Sequence, residues 1–315
     1  MIRVSFLIPV HNEEKIIRWT LDHIRDNFAK YDWVEVIVGD DGSNDKTPEI
    51  VKKYNFVKYV RLENRGGKPE VLKSLLPIAK GDIVIINDAD WRFVYNGDRF
   101  ENMLKGFDSN PKLGGIADSF SGVYTEERVK RNDSLGFLAD AWTSQFRIEL
   151  QKKIQTKKIN DYLYVDFDKM NFPFFVNIFR KDIIDESTTL GDDIERTLQI
   201  LSKGYLIKVL QDEREPHVLI LEQNTTLKDM FKQKVRTHFA RKQIKEIYNY
   251  NPSFFKFYIP YFFYSFFNLY RIKRFKSLTA LFCFWWVMIF SYIKSSEMHT
   301  NKVSTKQAWQ MRLSR

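Results

Sequence analysis

Short apolar runs alternate with helical patterns through the first 90 residues. Continuous runs of Val, Ile, Leu and Phe, each followed by polar residues, predict four buried strands over residues 4–10, 34–38, 57–62 and 83–86. Helical periodicity between them predicts helices over 14–28 and 69–80, and Asp45 or Thr47 can cap a shorter helix between the second and third strands. Regular strand–helix alternation is typical of a mostly parallel, doubly wound α/β sheet with right-handed crossovers.

The middle of the chain, from about 91 to 211, is less regular. It contains two further strand candidates, 114–117 and 174–178. An amphipathic helix is predicted over 194–202, directly after Asp192 and Asp193 and ending before Gly204.

Charge divides the chain into two chemically different parts. Residues 228–315 contain 17 Lys and Arg against 3 Asp and Glu, a net charge of +14, whereas residues 1–227 contain 33 against 37, a net charge of −4. Residues 253–292 hold 18 of the 49 aromatic side chains. The single cysteine, Cys283, excludes an intramolecular disulfide framework and a cysteine-built zinc site, and it fits a reducing compartment.

Carboxylates follow two of the predicted strands, where ligands bind in open α/β sheets. Asp40 and Asp41 end the second strand, and Asp88 and Asp90 end the fourth. A D-x-D loop can hold a hard divalent cation against substrate phosphates, whereas a carboxylate after the second strand can accept hydrogen bonds from a base or ribose. An Asx turn and an ordinary acidic loop remain the alternatives. The sequence has neither the GxGxxG dinucleotide pattern nor a GxxxxGK[ST] phosphate loop.

Asp192 and Asp193 stand at the start of the 194–202 helix. Either residue can simply cap this helix, because anionic side chains are stabilised at helix N-termini. The functional interpretation is a general base that removes a proton from an attacking hydroxyl.

Six segments, in this order and spacing, resemble family 2 inverting glycosyltransferases of the GT-A fold. They are IPVHNEE, VIVGDDGSNDKT, NRGGKPEVL, GDIVIINDAD, GDDIERTLQILSKGY and TTLKDMFKQKVR, and together they span about residues 1–241. The resemblance implies a GT-A (Rossmann-like) α/β fold. Three regions are expected: a catalytic domain over 1–227, a basic amphipathic helix over 228–250 and a membrane-associating region over 251–315.

The resemblance also implies roles for individual residues. Asp193 matches the catalytic base, with Asp192 where the family has Glu. Asp90, together with Asp88, matches the ligands of a Mn²⁺ or Mg²⁺ ion on the diphosphate. The residues that match nucleotide-sugar-binding positions are Pro9, Val10, Glu13, Asp40, Asp41, Lys68, Asp88, Gln233 and Arg236.

Two positions leave alternatives open. Gln233 and Arg236 begin the Q-x-x-R-W motif of polymerising members, but Thr237 stands where that motif has Trp, so processive synthesis is in doubt. Arg236 can bind a diphosphate bidentately, or it can be a solvated charge. His217 can be a third metal ligand, or a packed histidine.

The basic C-terminal part predicts contact with a membrane surface. Residues 228–248 suit a helix at the headgroup boundary of anionic lipids. The apolar run 257–270 contains Pro260, and the run 277–293 is at the lower limit for spanning. Because both flanks of the second run are basic, in-plane or re-entrant helices on the cytosolic face are favoured over a single span. A soluble apolar mini-core is the alternative.

The expected function is therefore transfer of a sugar from a UDP- or GDP-linked donor to an acceptor hydroxyl at the membrane surface, with inversion. The acceptor is expected to be lipid-linked, such as a polyprenyl phosphate, or a glycan. Processive polysaccharide synthesis and a catalytically inactive membrane scaffold are the alternatives. Nucleic-acid binding is disfavoured, because the aromatic residues cluster in nearly uncharged runs rather than among Lys and Arg.

Overall fold

The structure is a computed structural model. It describes residues 3–117, 129–185, 189, 191–210, 217–221, 225–250 and 254–301, without the side chains of residues 254 and 255. The basic end of the chain beyond residue 301, which entered the membrane prediction, lies outside the described residues.

A nine-stranded sheet with the order β3-β2-β1-β4-β9-β6-β10-β8-β7 forms the centre of the molecule. The strands, with a separate two-stranded sheet of β5 and β11, are β1 Val4–Val10, β2 Val34–Asp40, β3 Val57–Arg61, β4 Ile83–Ile86, β5 Trp91–Phe93, β6 Leu113–Ala117, β7 Thr156–Ile159, β8 Tyr162–Val165, β9 Val176–Arg180, β10 Leu206–Val209 and β11 Val218–Ile220. The expected α/β fold class is confirmed.

Parallel pairing is confined to part of this sheet. β3, β2, β1 and β4 are mutually parallel, as the alternation predicts, and β10 is parallel to β6. β9 inserts antiparallel between β4 and β6, and β8 and β7 add antiparallel strands at the far edge.

Nine α-helices occur in the described ranges: α1 Ile17–Asn27, α2 Thr47–Val51, α3 Lys68–Leu75, α4 Asp98–Ser109, α5 Leu135–Ile154, α6 Asp192–Ser202, α7 Leu227–Tyr248, α8 Phe254–Phe267 and α9 Phe275–Thr300. α3 ends earlier than predicted: a 3₁₀ turn, Leu76–Ile78, replaces its last part. Pro77 accounts for this, since proline cannot continue the α-helical hydrogen-bond ladder.

Both faces of the sheet are covered by helices. Phe6 and Ile8 of β1 pack with α1 and α4, whereas Leu7, which points to the other face, packs with α3 and α6. A third core joins α5 to α8 and α9. The C-terminal helices therefore share a core with α5, which belongs to the predicted 1–227 region.

The helix α9 packs along its whole length on the rest of the protein. Its buried side chains recur at helical spacing and contact α5 and α7: Ala280, Leu281, Phe284, Met288, Ser291, Ser295 and Met298. The opposite face exposes large apolar side chains: Phe282, Trp286, Ile289, Phe290 and Ile293. α9 is also the one helix among the described residues that is long and apolar enough to cross a membrane.

Candidate functional site

The loops after β1 and β2 meet at the carboxyl edge of the sheet. Pro9 and Val10 are the last residues of β1 and lie beside the end of β2. Glu13 is buried, and its backbone N–H donates to the hydroxyl of Thr47 at 2.7 Å. This bond joins the first loop to the start of α2, so the two loops form one surface.

Asp40 is fully buried at the end of β2. Its carboxylate accepts hydrogen bonds from the backbone N–H of Ser43 at 2.8 Å, the hydroxyl of Tyr59 at 2.5 Å and the guanidinium of Arg61 at 2.9 Å. Burial and the bond to Asp40 raise the pKa of Tyr59 to about 12. Asp40 thus ties β2 to β3, and its contact with a nucleotide base stays a prediction.

Asp41 fixes the start of α3. It accepts hydrogen bonds from the backbone N–H groups of Gly66 at 2.7 Å and Gly67 at 2.9 Å. Gly67 has φ +89°, a conformation that side-chain-bearing residues rarely adopt. This turn places Lys68 in the first turn of α3, at the edge of the sheet.

The D-x-D loop is held by polar contacts to its backbone. The amide of Asn87 donates to the carbonyl of Asp88 at 2.9 Å, and the hydroxyl of Thr20 donates at 2.5 Å to the carbonyl of the alanine between the two aspartates. The carbonyl of Asp90 accepts from the N–H of Leu221 at 2.7 Å. With the backbone fixed in this way, the carboxylates of Asp88 and Asp90 remain partly exposed.

Lys68 connects the D-x-D loop to the start of α6. Its ammonium lies 2.8 Å from Asp88 Oδ1 and 3.9 Å from Asp192 Oδ2. Asp192 also accepts from both Nη atoms of Arg196, each at 3.2 Å. Burial acts to lower the pKa of Lys68, but the carboxylates of Asp192 and Asp88 outweigh it and raise that pKa. The structure thus brings three of the predicted site segments together.

Asp193 lies beside this ion-pair network, in the first turn of α6. Its Oδ1 accepts from the backbone N–H of Ile194 at 2.9 Å. Desolvation by the surrounding protein, and then the charge of Asp192, raise the pKa of Asp193. A carboxylate with a raised pKa is a stronger proton acceptor than an exposed one, which is the property that a general base needs.

His217 lies outside this network. The ring is fully buried beside Phe93 and Tyr95, and its Nε2 is 2.7 Å from the amide oxygen of Asn177. Among the described residues, no three His, Cys, Asp or Glu side chains form a metal-binding group. These surroundings are those of a packed histidine, and the role of His217 as a metal ligand stays a prediction.

The Q-x-x-R segment lies on α7. Gln233 is exposed and Arg236 is half-buried. Thr237 bonds within the helix, its hydroxyl donating to the carbonyl of Gln233 at 3.0 Å. α7 also contacts the turn at residues 191–193, which carries the proposed base Asp193 and is called the base loop below. A Cβ at Gly191 would lie 3.3 Å from the Cβ of Ala240.

Several residues of this site carry no role in the sequence interpretation. Tyr59 and Arg61 reach Asp40 from the neighbouring strand, which no local pattern reveals. Arg196 stands four residues after Asp192, and this i,i+4 spacing of opposite charges on a predicted helix is a signal that could have indicated the pair.

The sequence model of Glycosyl transferase family 2 matches residues 5–182, more than half of the chain. The chain belongs to this family. The matched residues run from β1 through β9 and include the loops that carry Asp40 and Asp88, so the family resemblance stated from the sequence is confirmed.

Two curated relatives are similar to this family member over part of their length. The Probable glycosyltransferase YdaM of Bacillus subtilis (strain 168) is 28% identical over 267 residues, which are 81% of this chain and 58% of the relative. The Poly-beta-1,6-N-acetyl-D-glucosamine synthase of Staphylococcus epidermidis is 34% identical over 116 residues, 36% of this chain and 27% of the relative. The matched part thus spans little more than half of the first relative and about a quarter of the second.

A solved structure shares the fold at low sequence identity. The mannosyltransferase PcManGT from Pyrobaculum calidifontis, in complex with GDP-Man and Mn²⁺, superimposes with a TM-score of 0.59 at 17% identity. The match covers 96% of this chain and 88% of that chain. It supports the GT-A fold across both the sheet and the C-terminal helices.

Proposed function

We propose that the protein is an inverting glycosyltransferase that moves a sugar from a nucleotide-diphosphate donor to an acceptor hydroxyl at a membrane surface. The observation that carries the proposal is the position of Lys68, which contacts both the D-x-D carboxylate Asp88 and the base loop at Asp192. Asp88, proposed to lie on the donor side, and the loop that carries the proposed base are therefore joined through one side chain. Family membership and the GDP-Man in PcManGT add support for this donor class.

In the proposed reaction Asp193 takes the proton from the acceptor hydroxyl. The hydroxyl oxygen attacks the anomeric carbon while the bond from that carbon to the diphosphate oxygen breaks. Attack occurs on the face opposite the leaving group, so one displacement inverts the configuration. The raised pKa of Asp193 favours proton uptake, and Arg196 and Lys68 pair with the neighbouring Asp192.

The nucleotide sugar is proposed to lie across the loops that follow β1, β2 and β4. The residues assigned to it are Pro9, Val10, Glu13, Asp40, Asp41, Lys68, Asp88, Gln233 and Arg236. Lys68 can pair with diphosphate oxygens as well as with Asp88, since an ammonium has three donors. Because Asp40 and Asp41 already accept several protein hydrogen bonds, their larger contribution is to keep these loops rigid.

The residues of the D-x-D loop fit a divalent cation. Asp88 and Asp90 supply hard oxygen ligands from one loop, and Mg²⁺ is commonly bound by one or two carboxylates together with substrate phosphates. A Mn²⁺ or Mg²⁺ bound there would neutralise charge on the leaving diphosphate. Asn87 and Thr20 hold the backbone of the loop, which keeps the two carboxylates oriented.

The protein is proposed to lie on the membrane with α9 in the plane of the bilayer. Lys276, near the first end of α9, pairs with Asp133 at 2.7 Å. Near its other end, Ser296 accepts from Lys242 of α7 at 2.6 Å. Because both ends contact the same folded body, a crossing would pull charged groups of that body into hydrocarbon. In this orientation the exposed apolar face of α9 contacts the lipid.

The acceptor is proposed to be lipid-linked or a glycan. The poly-N-acetylglucosamine synthase relative favours a glycan, but Thr237 occupies the position of the motif Trp, which favours a single transfer over processive synthesis.

A panel of UDP- and GDP-sugars tests the proposal directly. The purified protein with Mn²⁺ or Mg²⁺ should bind and slowly hydrolyse one or a few donors, and Asp193→Asn should keep donor binding while losing turnover. A protein that binds no nucleotide sugar in this panel, or an Asp193→Asn variant with full turnover, would contradict the proposal.

A further inference from the structure

Glu195 is a fully buried carboxylate of α6, two residues after the proposed base Asp193. Its Oε2 accepts a hydrogen bond from the backbone N–H of Thr189 at 3.1 Å. Its own backbone N–H donates to the carbonyl of Gly191 at 2.9 Å, and the hydroxyl of Thr189 accepts from the N–H of Gly191 at 3.1 Å. Glu195 therefore fixes the position at which the base loop begins.

The last residue of α7 contacts Glu195. The hydroxyl of Tyr248 donates to Glu195 Oε1 at 3.3 Å and accepts from the amide of Gln199, one turn further along α6, at 3.2 Å. Burial and the charge of Glu195 raise the pKa of Tyr248, although the bond from Gln199 opposes them. The phenol thus stays protonated at neutral pH and remains a donor. Tyr248 joins α7 to the helix that carries the proposed base.

The end of α7 that carries Tyr248 is itself held by α9. Glu246 lies 3.0 Å from Nε2 of His299, and the ammonium of Lys242 donates to the hydroxyl of Ser296 at 2.6 Å. The two helices also pack against each other. A side chain can fix the position of another group only if its own support is rigid, and α9 supplies that support for Tyr248.

Glu195 does not point at the base. Side chains two residues apart on an α-helix point in directions about 200° apart, so Glu195 and Asp193 lie on different sides of α6. The charged groups that act on Asp193 are Asp192, Arg196 and Lys68. Glu195 therefore reaches Asp193 through the backbone of the base loop.

We propose that Tyr248 and Glu195 are positioning residues, which fix the base loop so that the carboxylate of Asp193 keeps one orientation toward the acceptor hydroxyl. This inference rests on the proposed function, because it concerns the residue proposed there as the base. Both residues lie outside residues 5–182, which the family model matches. The end of α7 thus supports catalysis, in addition to any contact of the C-terminal helices with lipid.

Tyr248→Phe removes the hydroxyl that joins α7 to Glu195. With Mn²⁺ and the nucleotide sugar that the donor panel identifies, turnover should fall about tenfold, because a misplacement of about 1 Å can cost about 10²-fold in rate. The acid limb of the pH–rate profile should move to lower pH, because a looser loop admits water and weakens the desolvation that raises the pKa of Asp193. Donor binding should stay unchanged.

Tyr250→Phe is the matched control. Its hydroxyl donates to the carbonyl of Met170 at 2.7 Å, so the variant loses a comparable hydrogen bond two residues away without touching Glu195. Turnover and pH profile should match the wild type. Hydrogen exchange at the amide of Thr189 gives a measurement without turnover: it should speed up severalfold in Tyr248→Phe and stay unchanged in Tyr250→Phe.

Two substitutions of Glu195 separate its reach from its charge. Glu195→Asp keeps the charge but shortens the side chain, whereas Glu195→Gln keeps the length without the charge. Positioning predicts that the Asp variant behaves as Tyr248→Phe does and that the Gln variant loses much less turnover. The reverse order would mean that the charge of Glu195 acts on Asp193, which overturns the inference. These variants carry the test if thermal unfolding shows that Tyr248→Phe does not fold.

The remaining outcomes distinguish this inference from the proposed function. Wild-type turnover, pH profile and Thr189 exchange in Tyr248→Phe and Glu195→Asp overturn the inference and leave Asp193 as the base. Equal changes in Tyr250→Phe overturn it as well, because they would reflect a general loosening of the fold. Full turnover in Asp193→Asn contradicts the proposed function instead.

Discussion

The ammonium of Lys68 lies 2.8 Å from the carboxylate of Asp88, the same carboxylate that is proposed to bind a divalent cation. Two cations that share one carboxylate compete, because the repulsion between them reduces the favourable electrostatic energy of each with that carboxylate. We therefore expect Lys68, which is proposed to bind the donor, also to change the affinity of the proposed metal site.

Lys68→Met should tighten metal binding and slow turnover. Without the ammonium, Asp88 offers its full charge to Mn²⁺, so we expect the Mn²⁺ concentration for half-saturation to fall severalfold. Turnover should fall because the diphosphate loses a partner. Manganese titration followed by electron paramagnetic resonance measures the first effect. Lys73→Met, an exposed position of the same helix, serves as the control, and unchanged Mn²⁺ affinity in Lys68→Met would separate Lys68 from the metal site.

Asp193→Asn should lose activity while gaining stability. Loss of a general base costs about 10²–10⁴-fold in rate. Because burial raises the pKa of Asp193 in the folded protein, the folded state binds more protons than the unfolded state, and the ionised carboxylate lowers stability as pH rises through that pKa. The asparagine removes this penalty at neutral pH. Thermal unfolding measures the change in stability, and steady-state kinetics measures the loss of turnover. An inactive variant that is also less stable would indicate a structural role for Asp193.

The raised pKa of Asp193 also predicts how the rate of the wild type falls at acid pH. Turnover needs the ionised base, so it should fall as pH drops through a pKa above the usual range of an aspartate. A rate that stays constant down to the pH at which an exposed aspartate titrates, about 3.9, would argue against Asp193.

Removal of the metal should abolish transfer. With excess chelator the wild type should lose activity, and Mn²⁺ or Mg²⁺ should restore it. Asp90→Ala should keep only a residual rate that added metal does not raise. Full wild-type activity in chelator would rule out the metal role of the D-x-D loop.

Charge placed on the exposed face of α9 should release the protein from membranes. Trp286 and Phe282 are 62% and 56% exposed there, so the double substitution to Asp should abolish flotation with anionic vesicles while the protein stays folded. Phe167→Asp, a 40% exposed aromatic residue on another surface, is the control. Release of wild-type protein by alkaline carbonate is expected for an in-plane helix, and retention would indicate a span.

Lys234→Met should stabilise the protein. Burial lowers the pKa of Lys234, and the charges of Arg147 and Arg241 lower it further, although Asp140 opposes them. A methionine of similar length removes a desolvated charge, and we expect a gain of roughly 1 kcal/mol, or ~2 °C in Tm. Differential scanning calorimetry measures the change. A lower Tm would mean that the charge of Lys234, which lies 4.0 Å from Asp140, stabilises the fold.

The first half of the sheet was predictable because each strand is a continuous apolar run between polar turns. The last two strands of the sheet, β8 and the edge strand β7, were not predictable, since they are short and carry exposed residues such as Tyr162. α5 was missed for a different reason. It is buried on nearly all sides by α7, α8 and α9, so its sequence lacks the one-sided periodicity of a surface helix.

The site residues likewise include some that the sequence indicates and some that only the structure reveals. The aspartates follow strands and helix starts, which a local pattern indicates. The contacts of Lys68 with Asp88 and with Asp192 join residues far apart in the chain, and only the packed structure places them together.

In the proposed arrangement, the stacking of α9 on α7, and of α7 on the base loop, sets the distance between the reaction and the lipid. One helix layer, about 10 Å between axes, separates α9, the helix proposed to face the lipid, from Gly191, which is two residues before Asp193. We therefore expect acceptor hydroxyls that stand close to the headgroups to reach Asp193, whereas the far ends of long chains would extend past it.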